Sequence, residues 1–322
     1  MKIIITGGAG FLGQQLAFTL LKNCHGMNFS ELMLIDIQCP ISPINDPRVQ
    51  CLAMDLAQEN VAEKLIDAES DVLFHLAAIV SSHAEQDFDL GMKVNFDMTR
   101  NLLESARTKN PSLKFIFTSS LAVFGGNLPK TVTEHCAVNP QSSYGTQKAM
   151  CELMINDYSR KGYVDGRVLR LPTISIRSGK PNKAASSFAS GIIREPLQGK
   201  SCICPVSREL VLWLSSPEIV VRNLIHAVQI PAEKLAISRI VNLPGISITV
   251  QEMIDSLKEI AGQKVVDLIR FELDESVNQI VSSWPGNFDI SHSLALGFSV
   301  GHSFSDAIRA FIVSNPDLNG IF

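Results

Sequence analysis

The chain has 322 residues, 46% of them hydrophobic and 19% charged, with a formal net charge of −4. That is the composition of a globular protein with a sizeable core. It offers no excess of positive charge for nucleic acid or an acidic membrane surface. No apolar run approaches the ~20 residues that span a bilayer. The seven cysteines, at 24, 39, 51, 136, 151, 202 and 204, have spacing poor for zinc and read as free thiols in a chain this long, so no metal site is expected.

The N-terminus enters an apolar run at once, Lys2–Thr6. This is too short for a secretory leader and is read as the first strand of a cytoplasmic protein. Further short apolar runs follow at Glu31–Asp36, Val49–Asp55, Val72–Ala78, Leu113–Ser120 and Arg167–Ile174. They alternate with helical patterns at Gly13–Lys22, Asn60–Ala68, Asp87–Lys109 and Tyr144–Lys161. Strands apolar almost throughout, alternating with helices, predict a Rossmann-type α/β fold with a doubly wound parallel sheet.

After about residue 175 the pattern changes, beginning with the loop signal Ser178-Gly179-Lys180-Pro181-Asn182. Helices are expected at Pro217–Val228 and Val250–Ala261, and strands at Ile240–Leu243 and Val265–Phe271. Residues 1–175 are therefore expected to bind a dinucleotide. Residues 176–322 are expected to form a smaller, mainly substrate-binding α/β region, with some segments returning to the first.

The first strand runs into Thr6-Gly7-Gly8-Ala9-Gly10-Phe11-Leu12-Gly13 and then a helix. Gly7 permits the tight turn, Gly10 lets the backbone approach a pyrophosphate, and Gly13 lets the helix pack close. Phe11 and Leu12 lie in the turn just before the helix, whose free N–H groups and partial positive charge suit phosphate. Asp36 ends the next strand 23 residues after Gly13. A carboxylate there accepts from ribose hydroxyls and repels a 2′-phosphate, which favours NAD over NADP. Asp55 and Leu56 follow the third strand and can hold adenine, although an aspartate in that place also serves as a helix cap. Ala77 and Ala78 follow the fourth strand, where small residues let the cofactor pass.

Tyr144 and Lys148 are four apart on a predicted helix and share a face. A tyrosine with pKa near ~10 is a poor base until a neighbouring ammonium, helped by the cationic nicotinamide ring, favours its phenolate; lowering that value by ~3 units corresponds to about 4 kcal/mol. Ser119 and Ser120 end the fifth strand at the carboxyl edge where ligands bind, and a hydroxyl there can orient a substrate alcohol.

With Val94-Asn95, His75-Leu76-Ala77-Ala78, Phe117-Thr118-Ser119-Ser120, Tyr144-Gly145-Thr146-Gln147-Lys148, Arg170-Leu171-Pro172-Thr173 and the closing Leu296-Gly297-Phe298, the sequence resembles the extended short-chain dehydrogenase/reductase family. The resemblance implies an enzyme with Ser120, Tyr144 and Lys148 as catalytic residues. It further implies Asn95 near the cofactor, Pro172 and Thr173 beside the nicotinamide, and pairing of long helices in a homodimer. Phe124 stands where that family usually has tyrosine. Leu121-Ala122 after Ser120 disfavours dehydration, because the family's dehydratases carry an Asp-Glu pair after a threonine.

From Gly166 to Arg194 there are six cations and no carboxylate: Arg167, Arg170, Arg177, Lys180, Lys183 and Arg194. A positive, flexible segment at the nicotinamide end suits an anionic substrate, with Arg177, Lys180, Asn182 and Lys183 the best placed. Ser81, after the fourth strand, is a further substrate candidate, as is His83; Trp213 and His75 read as packed residues. The stretch Leu171–Leu197 resembles a sugar-acid dehydrogenase branch of the family, which oxidises the 2-hydroxyl of a four-carbon acid with NAD. In that branch a proline is expected where Ser178 stands. A nucleotide-sugar 4-epimerase and a non-catalytic NAD sensor remain open alternatives.

Overall fold

The structure is a computed structural model that describes residues 1–22, 26–58, 60–179, 184–235 and 238–318. Its main sheet contains β1 (Lys2–Thr6), β2 (Glu31–Asp36), β3 (Val49–Ala53), β4 (Ser70–His75), β5 (Lys114–Ser120) and β6 (Asp165–Leu171), joined at one edge by Ile240–Asn242. All neighbours are parallel, in the order Ile240–Asn242, β6, β5, β4, β1, β2, β3. The order reverses between β1 and β4, and it is outside the carboxyl ends at such a reversal that ligands bind.

Side-chain alternation divides the core. Ile3 and Ile5 join the helices Phe11–Leu21 and Pro217–Gln229 on one face. Ile4 joins Met98–Lys109 and Ser143–Arg160 on the other. A separate core lies among the helices Phe188–Leu197, Val250–Ala261 and Phe304–Val313. Beside it stand a three-stranded sheet (Ile246–Thr249, Val211–Ser215, Thr173–Ile174) and a parallel pair (Cys202–Cys204 with Ile269–Phe271). Trp213 is buried and donates to the Leu243 carbonyl at 3.3 Å.

Several expected elements change. The strand expected through Ala78 stops at His75, leaving Ala77 and Ala78 in the turn beyond β4. The strand expected to reach Ile174 breaks at Pro172, which has no N–H for a ladder. Thr173–Ile174 then pairs with Val211–Ser215 in the second sheet. Asn60–Ala68 contracts to a helical turn at Ala62–Leu65, and the first half of Val265–Phe271 is helical. The long helix ending at Lys109 contains a π-helical stretch, Met92–Asp97.

His75 at the end of β4 is 1% exposed and lies between Thr6 Oγ1 (2.7 Å) and Thr99 Oγ1 (3.0 Å). Burial, with the Lys148 ammonium as a lesser cause, brings its pKa down to about 3. The unfolded imidazole titrates near ~6.5, so below that pH the unfolded chain binds the extra proton. His75 therefore contributes stability that is complete above the unfolded value and is lost as pH falls toward 3. Between pH 7 and pH 4.5 the expected loss is about 3 kcal/mol. Urea unfolding of wild type and His75→Gln at both pH values tests this: the variant should lose that much less. Equal losses would remove the histidine from the account.

Candidate active site

The glycine turn is built by close approach. Gly7 has φ +73°, and a Cβ there would lie 2.8 Å from the Ala77 amide nitrogen. Gly13 is tighter still, since a Cβ would lie 2.2 Å from the Gly7 carbonyl oxygen. The helix Phe11–Leu21 begins at Gly10 with no side-chain cap and no acidic residue in its first turn. Its first N–H groups are therefore left for an anion. Asp36 closes the turn from β2, accepting from Ala9 N at 3.0 Å and from Ile37 N at 2.8 Å.

Substituting Gly13 should show how hard this packing is. Alanine favours a helix over glycine by up to ~1 kcal/mol, yet here its methyl group meets backbone, which cannot move aside cheaply. Gly13→Ala is expected to lose about 1–3 kcal/mol of stability and to weaken NAD binding, read by urea unfolding and by calorimetric titration. A variant as stable as wild type would show that the turn relaxes.

Two clefts meet at Ala78. One is bordered by Gly7, Asp36, Asp55, Leu56, Ala77 and Ala78. The other is bordered by Leu12, Ala78, Ser81, Ser119, Ser120, Tyr144, Lys148, Pro172, Thr173 and Arg177. An uncapped helix start, glycines where backbones touch and a carboxylate at the end of β2 together fit a dinucleotide. Asp55 caps no helix, since the next one starts at Ala62; it accepts from Ala57 N at 3.1 Å within a turn and borders the cleft.

Some expected site residues lie elsewhere or face another way. The Phe11 side chain borders a different cleft, with Phe18 and Ile176, so only its backbone belongs to the helix start beside the glycine turn. Asn95 borders neither cleft. It is buried, bonded to Ile79 N (2.8 Å), Ile79 O (3.0 Å) and Gln147 Oε1 (2.7 Å), and so fixes the turn after Ala78. The Ser119 hydroxyl turns into the protein and donates to Glu152 Oε1 at 2.5 Å. His83 does not border the cleft. Asn182 and Lys183, with Lys180, lie outside the described residues.

Arg167, Arg170 and Arg194 of the cationic segment are engaged within the protein. Arg167 pairs with Asp165 at 2.7 Å and also donates to the Ala227 carbonyl. Arg170 grips buried Glu152 through Nε (2.9 Å) and Nη2 (2.6 Å). Arg194 donates to the Arg177 carbonyl and pairs with Glu195. Asp165 and Glu195 come from just outside the segment, and Glu152 from the helix Ser143–Arg160. Of these four arginines only Arg177 borders the cleft. Burial, then the nearby Arg194, holds its pKa below the ordinary guanidinium value. Phe124, in place of the usual tyrosine, is buried against Phe288, with the Arg170 guanidinium 4.6 Å from its ring centre.

The reactive groups sit on a fixed frame. Lys148 Nζ donates to the Thr118 carbonyl at 2.8 Å and lies 5.8 Å from the Tyr144 ring centre. Ser120 Oγ accepts from Ala122 N at 3.1 Å. In the chain alone the phenol is not primed. Burial pushes Tyr144 up to about 12, opposed by a hydrogen bond with Ser120. Burial also brings Lys148 down to about 8, opposed by Cys151 and Glu152. Lys148 is expected to favour the phenolate together with the cationic nicotinamide ring; in the chain alone, desolvation outweighs a cation engaged with a carbonyl. Trp284, Val80, Leu121, Ala184 and Ser186 also border the cleft; none belongs to a motif that spacing reveals.

The NAD dependent epimerase/dehydratase family matches this chain over residues 3–227. The chain belongs to that family. A D-erythronate dehydrogenase of Haemophilus influenzae is 57% identical over 312 residues, covering 97% of this chain and 99% of that protein. One from Cupriavidus necator is 49% identical over 318 residues, covering 97% and 98%. A solved structure, the nucleoside-diphosphate-sugar epimerase from Agrobacterium tumefaciens, has a TM-score of 0.93 at 42% identity, covering 98% of this chain and 95% of that one. The family and the branch expected from the sequence are those of these relatives. The chain is an NAD-dependent oxidoreductase. Among the described residues no helix is long and apolar enough to cross a membrane, and no group of His, Cys, Asp or Glu could hold a metal ion.

Proposed function

We propose that the chain oxidises the 2-hydroxyl of D-erythronate to 2-dehydro-D-erythronate with NAD, Tyr144 acting as general base. The observation that carries this reading is one cleft bordered by Ser120, Tyr144, Lys148 and Arg177. The names of relatives 57% and 49% identical support the substrate class.

On this reading Gly7, Gly10, Gly13 and the Phe11 and Leu12 amides hold the pyrophosphate. Asp36 takes the ribose hydroxyls, and Asp55 and Leu56 flank adenine. Ala77 and Ala78 give the cofactor room, Asn95 fixes their turn, and Ser119, Pro172 and Thr173 border the reacting end. Bound NAD supplies a hydride acceptor and, in its oxidised form, a positive ring. Ser120 orients the 2-hydroxyl, Tyr144 takes its proton, and Lys148 adds the second positive charge that favours phenolate. Arg177 meets the carboxylate, with Asn182, Lys183 and the Ser81 hydroxyl as further contacts. Residues 1–175 then form the NAD-binding part and 176–322 mainly the substrate part of a cytoplasmic homodimer.

The test is a screen of four- to six-carbon aldonates with NAD, followed at the NADH absorbance. Net NADH from D-erythronate is expected. The nucleotide-sugar epimerase reading is favoured by the description of the 42% identical structure, and the Ser–Tyr–Lys set serves it equally. Interconversion of UDP-sugars without net NADH would establish that reading and sink the first.

A further inference from the structure

Trp284 is the one large side chain of the cleft that the proposed chemistry leaves without a task. The rest of the described lining, including Leu76, Val80, Leu121, Leu171 and Ile174, is no larger than leucine or isoleucine, apart from Trp284. Among these described residues Trp284 is therefore the largest side chain available to close off a length of substrate.

Its position is held from several sides. The helix Glu275–Ser282 ends just before it, and Trp284 N donates to Val281 O at 3.2 Å. Two residues on, Gly286 lies so close to Val211 that a Cβ would come within 2.7 Å of Val211 Cγ1 and 2.8 Å of its carbonyl oxygen. Beyond that, the chain is bonded to Val132 on both sides: Val132 N donates to Asn287 O at 3.0 Å, and Asp289 N donates to Val132 O at 2.9 Å. The Trp284 ring packs against two cores at once, that of Leu212, Met253 and Ile308 and that of Leu121, Trp213 and Phe288. The backbone that carries Trp284 is thus tied on both sides, and displacing its side chain would break packing against both cores.

We infer that Trp284 sets the chain-length limit of the acid, standing as a rigid wall to carbons beyond the fourth. The inference rests on the sugar-acid reading above. A wall of this kind discriminates by exclusion. A substrate with the same carboxylate and 2-hydroxyl but two more carbons must either displace the indole or shift its reacting carbon. Pocket contacts of that size separate substrates by roughly 10- to 200-fold per carbon unit.

The experiment compares kcat/KM for D-erythronate with that for six-carbon aldonates of the same configuration at carbon 2, in wild type, Trp284→Phe and Trp284→Ala. The expected result is a six-carbon to four-carbon ratio that rises at least about 10-fold in Trp284→Ala, with Trp284→Phe between. The rise should come chiefly from improved kcat/KM on the longer acid. If Trp284→Ala fails to fold, the ratio in Trp284→Phe and in Trp284→Leu carries the test. A ratio unchanged while both activities fall in parallel would overturn the inference and leave Trp284 a packing residue. No NADH from wild type with any aldonate would overturn the sugar-acid reading instead, and this inference with it.

Discussion

Tyr144→Phe is expected to lower kcat by two to four orders of magnitude, roughly the span attributed to a positioned general base, while NAD still binds. The substitution removes one oxygen from a ring that borders the cleft, together with its hydrogen bond to Ser120. In the chain alone burial holds the phenol at about 12, so near neutral pH almost none is ionised. The proposed chemistry therefore needs positive charge brought to the site, and the frame is arranged to receive it: Lys148 is held at the Thr118 carbonyl, on the same helix face as Tyr144. The sign follows. Proton abstraction needs phenolate, so kcat for NADH formation should rise with pH along an acid limb. Lys148→Met removes one of the two cations and should move that limb to higher pH. Steady-state kinetics of wild type and both variants, with calorimetric NAD titration, checks these outcomes. A Tyr144→Phe enzyme with wild-type kcat would remove the residue from the mechanism.

The cleft bordered by Gly7, Asp36, Asp55 and Ala77 is legible in the sequence because its residues are fixed locally. A glycine turn, a helix start and a strand-end aspartate are neighbours in sequence, and the strand–helix alternation tells which ends meet. Ser120 and the Tyr144/Lys148 pair were readable for the same reason, each fixed to the end or face of one regular element. The cationic segment was not. Net charge along 166–194 counts Arg167, Arg170 and Arg194 as available, whereas Asp165, Glu152 and Glu195 neutralise them. Glu152 comes from the helix Ser143–Arg160 and Arg170 from β6, and no periodicity announces such a pairing. Trp284 was missed likewise, because it reaches the cleft from a part of the chain that shares no motif with it. Strand ends were misjudged where the apolar run outlasts the ladder, as at Ala77-Ala78 beyond β4.

The charge pair that this reading overlooked should be among the most costly to break. Glu152 is 1% exposed and accepts three hydrogen bonds: from Ser119 Oγ, Arg170 Nε and Arg170 Nη2. Removing one member strands the other in a medium that solvates charge poorly, so Glu152→Ala or Arg170→Ala is expected to destabilise the chain by about 3–5 kcal/mol. Glu152→Gln with Arg170→Met removes both charges while nearly keeping the volume, and should recover much of that loss, since a neutral packed replacement leaves no uncompensated ion. The pair lies beneath the site: Ser119 stands between Thr118, which holds Lys148, and Ser120. The single variants should therefore also loosen the end of β5. Urea unfolding of Glu152→Gln, Arg170→Met and the double that combines them, analysed as a cycle, decides the matter. Single losses near zero, or a double as unstable as the sum of the singles, would show that the pair is not coupled as the geometry requires.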